Sequence, residues 1–207
     1  MDYRNPIEAV IPGAQGRVLG ALVRTGGELN LRTIARVAGV SVAQASRVLP
    51  ELVSLGIIER REVPPSSLFR LVPEHVATRA LVALSNTRRD LMAEIDRAAA
   101  FVEPPPASVV AFGSFARGDG TAESDIDLVV VRPRDTDEDD ERWLATLEAW
   151  RNQISRAAGN DVELLEVGEN DLAGKLRGSA QVWRDIRRDG QLLHGKPLTQ
   201  LAGSIRA

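Results

Sequence analysis

The sequence predicts an α+β protein whose helical first part ends in a β-hairpin and whose second part combines short strands with helices. Apolar residues recur at helical spacing before residue 55 and again over 74–102. Two proline clusters, VPPSS at 63–67 and EPPPAS at 103–108, mark breaks, because proline does not fit inside a helix. After the second cluster, short apolar runs bounded by glycine indicate strands. We therefore expect a first domain at 1–73, a connecting helix at 74–103 and a second domain at 104–207.

The composition is that of a globular protein, with 43% hydrophobic and 27% charged residues. No cysteine is present, which excludes disulfides and thiolate chemistry. No apolar run reaches the roughly 18–20 residues that span a bilayer, and the start MDYRNPIEAVIPG is unlike a signal peptide. We expect a cytoplasmic protein with no membrane partner.

The first part reads as three helices followed by a hairpin. QGRVLGALVRTGG and LNLRTIARVAGV each carry an apolar face and end at glycine. Ser41 begins the third helix, and Gln44 stands at the spacing of a capping box. GIIERREVPPSSLFRLV then alternates like two strands around a Pro-Ser loop.

These elements resemble the winged helix-turn-helix family through the stretch LRTIARVAGVSVAQASRVLPELVSLGIIERR. The resemblance implies three helices plus a β-wing, with the third helix entering a DNA major groove. Residues 1–72 hold nine arginines against six acids, which favours DNA over the alternative, a module that only dimerises or contacts protein. A homodimer reading two half-sites is a further expectation. The DNA contacts that the resemblance implies are Ser41, Gln44, Ser46, Arg47, Arg60, Arg61 and Arg70.

The second part opens with a glycine-punctuated turn followed by two aspartates. SVVAF reads as a buried strand that ends at Gly113, and Ser114 starts a short helix whose first N–H groups suit a phosphate. In the strand DIDLVVV, alternation places Asp125 and Asp127 on one face. Two neighbouring carboxylates repel unless a cation is shared, and Mg²⁺ prefers oxygen ligands together with substrate phosphates.

The stretch GSFARGDGTAESDIDLVVV closely resembles the signature of the DNA polymerase β-like nucleotidyltransferase superfamily, and most of all its minimal branch. The resemblance extends over about residues 107–196 and implies a small mixed β-sheet flanked by helices. It implies that Asp125 and Asp127 bind two Mg²⁺ ions and that the Gly-Ser turn holds the triphosphate of an NTP. Arg117 is equally well explained as a surface arginine that ends a helix. The nucleotide contacts implied are Gly113, Ser114, Arg117 and Ser124.

The family also places a third carboxylate on a neighbouring strand, which here is NDVELLEV. The resemblance assigns it to Glu163, where the usual residue is Asp. Asp161, two residues earlier on the same strand face, is the rival. We favour Glu163 as the metal ligand and catalytic residue, with Asp161 left open.

The expected function is Mg²⁺-dependent transfer of a nucleoside monophosphate from an NTP to a hydroxyl, with a winged helix that binds DNA. By resemblance to the minimal branch, the acceptor belongs to a protein such as a toxin partner. The alternative is a transcriptional regulator or antitoxin-like protein whose second domain only binds nucleotide or a partner.

Overall fold

The computed structural model describes residues 1–203, and the chain divides into two compact units. One unit is Asn5–Thr87, and the other joins Met1–Arg4 to the described chain from Arg88 onward. Tyr3 belongs to the second unit: its hydroxyl donates to the carbonyl oxygen of Ala158 at 2.8 Å. These first residues were expected in the N-terminal domain 1–73, because no sequence pattern signals contacts with residues so far along the chain.

The unit Asn5–Thr87 combines helices with a small antiparallel sheet. The strand order is β1-β3-β2. Its helices are α1 (Pro6–Val10), α2 (Gly13–Thr25), α3 (Leu31–Ala38), α4 (Val42–Ser54) and α5 (Val76–Ser85), and its strands are β1 (Leu29–Asn30), β2 (Ile58–Val63) and β3 (Ser66–Leu71).

The three helices and the hairpin expected of a winged helix are confirmed as α2, α3, α4 and β2–β3. Helix α2 ends at Gly26 and α3 at Gly39, both in the left-handed conformation that glycine adopts without strain. The capping box of α4 forms as expected, with Ser41 and Gln44 each bonding the other's backbone. Apolar faces of α2, α3 and α4 pack with the wing in one core.

Two elements of this unit were not expected from the sequence. Helix α1 is too short for a periodic pattern and is held by burial of Ile7 and Pro6. Strand β1 is a two-residue strand, and it forms because Leu29 and Asn30 pair with Phe69 and Leu68 of β3.

The single connecting helix expected over 74–103 is instead two helices, α5 and α6 (Thr87–Ala99). The break falls at the polar run between them, where side chains compete for helix carbonyls. Asn86 donates its side-chain amide to the carbonyl of Val82, and Thr87 donates its hydroxyl to that of Leu84. The apolar periodicity continues through the break, which is why the sequence pattern did not reveal it.

The second unit contains a four-stranded sheet in the order β6-β5-β4-β7. Strands β5 and β6 are parallel and the other pairs antiparallel, so the mixed sheet flanked by helices is confirmed. Besides α6, its elements are β4 (Ser108–Phe112), α7 (Gly113–Arg117), β5 (Ile126–Arg132), α8 (Glu141–Ala158), β6 (Val162–Gly168), α9 (Glu169–Arg177), α10 (Gln181–Asp189), β7 (Gln191–Gly195) and α11 (Leu198–Gly203).

Helices cover both faces of this sheet. Along β5, Ile126, Leu128 and Val130 pack in a core with α6 and α8, whereas Val129 and Val131 pack with α9 and α10. Burial on both faces explains why the strand is almost continuously apolar. The polar side chains of β5 are therefore confined to its ends, with Asp127 as its second residue and Arg132 as its last.

Candidate functional site

The turn between β4 and α7 lies directly against the aspartate pair. Gly113 has φ +68°, in the left-handed region, and a Cβ there would overlap Oδ2 of Asp127. Phe112, the residue before it, is paired in register with Asp127 in the β4–β5 ladder. Strand pairing thus brings the turn and the acid together, and only glycine fits between them.

The acids at the start of β5 and β6 occupy neighbouring positions. Glu163 is the register partner of Asp127 in the parallel pair β5–β6, so the two side chains lie on the same face of the sheet. Asp125 stands one residue before the strand begins, and the backbone N–H of Ile126 donates to the carbonyl of Asp161 at 2.9 Å. The half-buried Asp127 is thus flanked by the exposed Asp125 and Glu163.

Among these acids, Asp127 is the one whose ionised form is disfavoured by its surroundings. Burial raises its pKa, and the charges of Glu163 and Asp125 raise that pKa further, whereas Arg117 lowers it. Asp161 acts instead on Arg151, whose pKa its charge helps to raise. Strand register therefore places Glu163 beside Asp127, whereas Asp161 lines a neighbouring pocket together with Asp125.

The residues present fit a divalent cation, because a shared cation removes the repulsion that raises the pKa of Asp127. Within residues 1–203, no three His, Cys, Asp or Glu side chains are already arranged as a complete metal-ligand group. Oxygen ligands supplied by substrate phosphates are the usual completion of such a site.

Arg117, at the end of α7, is held by two acids. Its guanidinium lies 3.3 Å from Asp119 and 3.3 Å from Asp189. Hydrogen bonds from Arg188 and Arg117 lower the pKa of Asp189. These two acids offset the positive charge that Arg117 offers to a phosphate.

The two serines of the motif differ in their surroundings. The Ser114 hydroxyl faces Gly120, where a Cβ would stand 3.4 Å from its oxygen. Ser124 holds the loop instead, since its hydroxyl accepts from the backbone N–H of Thr121 at 3.0 Å. The structure therefore accounts for Ser124 through the loop that leads to Asp125.

Asn160 is a site residue that the sequence analysis missed. This buried side chain donates to the carbonyls of Thr121, Ala122 and Ser124, at 3.3, 3.3 and 2.9 Å. Asn160 thereby fixes the loop that delivers Asp125. Its only signal in the sequence is that an asparagine follows a helix-ending glycine, which is common in turns.

The side chains expected to contact DNA from α4 all lie on its exposed surface. Ser41 and Gln44 are engaged with each other in the capping box, where Gln44 Oε1 accepts from the Ser41 N–H at 2.9 Å. Ser46 and Arg47 follow on the exposed side of the helix. The N-terminus of α4 is therefore open to a ligand, as insertion into a groove requires.

The wing differs from expectation in charge. Arg60 pairs with Glu62 at 2.6 Å, Arg61 with Glu28, and Arg70 with Glu59. Each wing arginine thus has an acidic partner. Two of these pairs leave no sequence pattern, because Glu59 lies on the paired strand and Glu28 on another segment. These acids offset the positive charge that the three arginines offer to a phosphate.

Solved structures that match parts of this chain include MarR and two toxin-antitoxin structures. MarR from E. coli in its oxidized form matches with a TM-score of 0.32 and 24% identity over 44% of this chain and 68% of that one. A toxin-antitoxin structure with AMP-PNP matches with a TM-score of 0.34 and 22% identity over 58% and 82%. A mutant of the toxin-antitoxin pair MntA-HpeT matches with a TM-score of 0.38 and 18% identity over 56% and 83%.

No curated protein matches the sequence. None of the helices within residues 1–203 is both long and apolar enough to cross a membrane.

Two family models match: the MarR family over residues 11–66 and the nucleotidyltransferase domain over residues 94–177. The first covers α2–α4 with most of the wing, and the second covers the turn at Gly113 with the neighbouring acids. The chain therefore joins a MarR-family winged-helix domain to a nucleotidyltransferase domain.

Proposed function

We propose that the nucleotidyltransferase domain moves a nucleoside monophosphate from an NTP to a hydroxyl and requires a divalent cation, Mg²⁺ in the cell. The observation that carries the proposal is the closeness of Asp127 to Gly113. It puts a carboxylate that needs a cation directly beside a turn whose N–H groups suit phosphate.

Each residue has a defined part in this reaction. Backbone N–H groups at Gly113 and Ser114 hold the phosphates, while Asp125 and Asp127 hold the cations, two of them if the site follows the superfamily. A bound divalent cation lowers the pKa of the acceptor hydroxyl and offsets charge on the α-phosphate. The acceptor oxygen bonds to the α-phosphorus, the bond to the bridging oxygen breaks, and pyrophosphate leaves. Glu163, beside Asp127 in register, accepts the hydroxyl proton.

Arg117 is proposed to contact the leaving phosphates, with Asp119 and Asp189 offsetting part of its charge. Ser124 supports the same nucleotide site through its loop. The proposed acceptor is a hydroxyl on a partner protein, such as a toxin, in keeping with the resemblance to the minimal branch.

The winged-helix domain is proposed to bind DNA, as a homodimer on two half-sites. The exposed N-terminus of α4, with Ser46 and Arg47 after the capping box, supports this role. Arg60, Arg61 and Arg70 of the wing are proposed to contact phosphates, with a positive charge that their acidic partners limit.

The test is transfer of label from each of the four α-labelled NTPs to a component of cell extract with Mg²⁺. Asp125→Asn with Asp127→Asn removes the cation ligands and should abolish labelling. The control is Asp135→Asn with Asp137→Asn, two exposed acids in another loop. Labelling that survives the first double substitution would contradict the proposal.

A second candidate function is a regulator whose transferase domain binds nucleotide or a partner protein without transferring a group. The exposed Glu163 favours it, since this side chain is one methylene longer than the aspartate usual in the superfamily. A chain that binds NTP and DNA but labels nothing would support this second candidate.

A further inference from the structure

The helix that carries the phosphate turn is too short to fix its own position. Helix α7 has five residues, and the last four carbonyls of any helix lack partners within it. The backbone N–H groups of Gly118 and Asp119 satisfy the carbonyl of Ser114. The same Gly118 N–H is shared with the carbonyl of Phe115, at 3.2 Å. Because Phe115 and Ala116 are buried, their carbonyls need further partners from elsewhere.

Arg88, in the first turn of α6, supplies those partners. Its Nε donates to the carbonyl of Phe115 at 2.7 Å, and its Nη2 donates to that of Ala116. The guanidinium also stands 5.7 Å from the centre of the Phe115 ring. A cation at the C-terminal end of a helix is favourable, and the fork of an arginine reaches two adjacent carbonyls at once.

Gln191, the first residue of β7, completes the arrangement. Its Nε2 donates to the carbonyl of Ala116 at 2.6 Å, and its Oε1 accepts from Arg88 at 3.3 Å. The C-terminal end of α7 is therefore tied both to α6 and to the edge of the sheet. Neither Arg88 nor Gln191 lies within residues 94–177, the part that matches the nucleotidyltransferase model.

The position of α7 matters because its first residue, Gly113, lies directly against Asp127. A Cβ on Gly113 would overlap Oδ2 of Asp127, so even a methyl group there would require the carboxylate to shift. A small movement of α7 would change the distance between the turn and the acids. Misplacing a group by about 1 Å in a catalytic site can lower the reaction rate about a hundredfold.

We propose that Arg88, with Gln191, is a positioning residue that holds α7 where the Gly113 turn and Asp127 bind one nucleotide together. This inference rests on the proposed function, and it assigns Arg88 no contact with the nucleotide. A merely structural Arg88 would stabilise the unit without altering the nucleotide site.

The test compares Arg88→Gln with Arg89→Gln in the full chain. Arg89 is the adjacent residue of the same helix, 74% exposed, with an ion pair to Asp90. Two readouts are taken: amide hydrogen exchange of the segment 113–119, and affinity for whichever of the four NTPs, with Mg²⁺, binds the wild-type chain most tightly.

Arg88→Gln should speed exchange in 113–119 at least about tenfold and weaken NTP binding about tenfold, the loss expected for one charge-assisted hydrogen bond. In both readouts, Arg88→Lys should lie between Arg88→Gln and the wild type, because the lysine ammonium can bond one of the two carbonyls. Arg89→Gln should change neither.

The inference and the proposed function fail in different ways. Unchanged exchange in Arg88→Gln overturns the inference, and so does faster exchange with unchanged NTP affinity. A wild-type chain that binds no NTP overturns the proposed function, and the exchange comparison then decides alone whether Arg88 holds α7. A general loss of folding in Arg88→Gln would leave the decision to Arg88→Lys, whose two readouts must still change together.

Discussion

The carboxylate of Asp127 rests against the backbone of Gly113, leaving no room for a side chain at residue 113. This relationship joins the two halves of the sequence motif, which lie on different strands and meet through the pairing of Phe112 with Asp127. A turn suited to phosphate and an acid suited to a cation thus occupy one place.

Gly113→Ala should greatly weaken nucleotide binding. The new methyl group overlaps Asp127 Oδ2, and alanine is strained at φ +68°. We expect NTP affinity with Mg²⁺, measured by calorimetry, to fall by at least about a hundredfold. The matched control is Gly174→Ala in α9, where a Cβ meets no atom within 4 Å. Equal affinities in the two variants would contradict the role given to Gly113.

Asp127→Asn should stabilise the cation-free protein while it removes function. Burial and the charges of Glu163 and Asp125 raise the pKa of Asp127, so its ionised form is disfavoured by folding. The stability contributed by protonated Asp127 is present below its unfolded-state pKa and is lost as pH rises through the higher folded-state pKa. At pH 7 the melting temperature of the variant should exceed that of the wild type by roughly 1–3 °C.

That difference in melting temperature should shrink as the pH falls through the raised pKa of Asp127, where the wild-type carboxyl takes up its proton. At pH 7, addition of Mg²⁺ with NTP should raise the melting temperature of the wild type above that of Asp127→Asn, because only the wild type gains binding energy. A variant that is less stable than the wild type at pH 7 without cations would show that Asp127 is already compensated in the fold.

Glu163→Gln and Asp161→Asn should separate the two candidates for the third acid. Glu163 is in register with Asp127 and acts on its pKa, whereas Asp161 acts on Arg151. Glu163→Gln should lower the rate of nucleotidyl transfer about a hundredfold or more, the usual effect of losing a group that stabilises developing charge. Asp161→Asn should stay within about threefold of the wild type by the same assay. The reverse order would transfer the role to Asp161.

The acids of the wing should limit DNA affinity. Arg61 Nε donates to Glu28 at 3.0 Å, and this hydrogen bond lowers the pKa of Glu28, which is ionised at neutral pH. Glu28→Gln should free Arg61 for phosphate and steepen the dependence of log affinity on log salt by up to about one unit. Arg47→Ala should weaken binding and flatten that dependence by about one unit.

The measurement is fluorescence anisotropy with promoter DNA at several salt concentrations. Arg89→Gln, outside the winged-helix unit, serves as the control for loss of one positive charge. Unchanged affinity in both Glu28→Gln and Arg47→Ala would indicate that neither the wing nor α4 touches DNA.

Much of the fold follows from the sequence because its elements have local causes. Glycines end α2 and α3, a capping box starts α4, and alternating apolar residues identify β4 and β5. The exceptions are elements whose cause is distant. Strand β1 exists because Leu29 and Asn30 pair with β3, and the first four residues pack with the second unit.

The candidate site divides in the same way. Gly113, Asp125 and Asp127 belong to one contiguous motif, and that motif is what predicts them as site residues. Arg88 and Asn160 act from far along the chain, through hydrogen bonds to backbone carbonyls. Such contacts require only a donor of the right reach, so they leave no residue pattern to detect. The wing pairs, such as Arg61 with Glu28, were hidden for the same reason.

The most direct test of the central claim is a crystal structure of the chain with a nonhydrolysable NTP and Mn²⁺, a cation located by its anomalous scattering. Manganese should bond to the carboxylates of Asp125 and Asp127, with the phosphates along the backbone of Gly113 and Ser114. Manganese absent from those carboxylates, or a triphosphate bound elsewhere while Asp127 faces solvent, would contradict the claim.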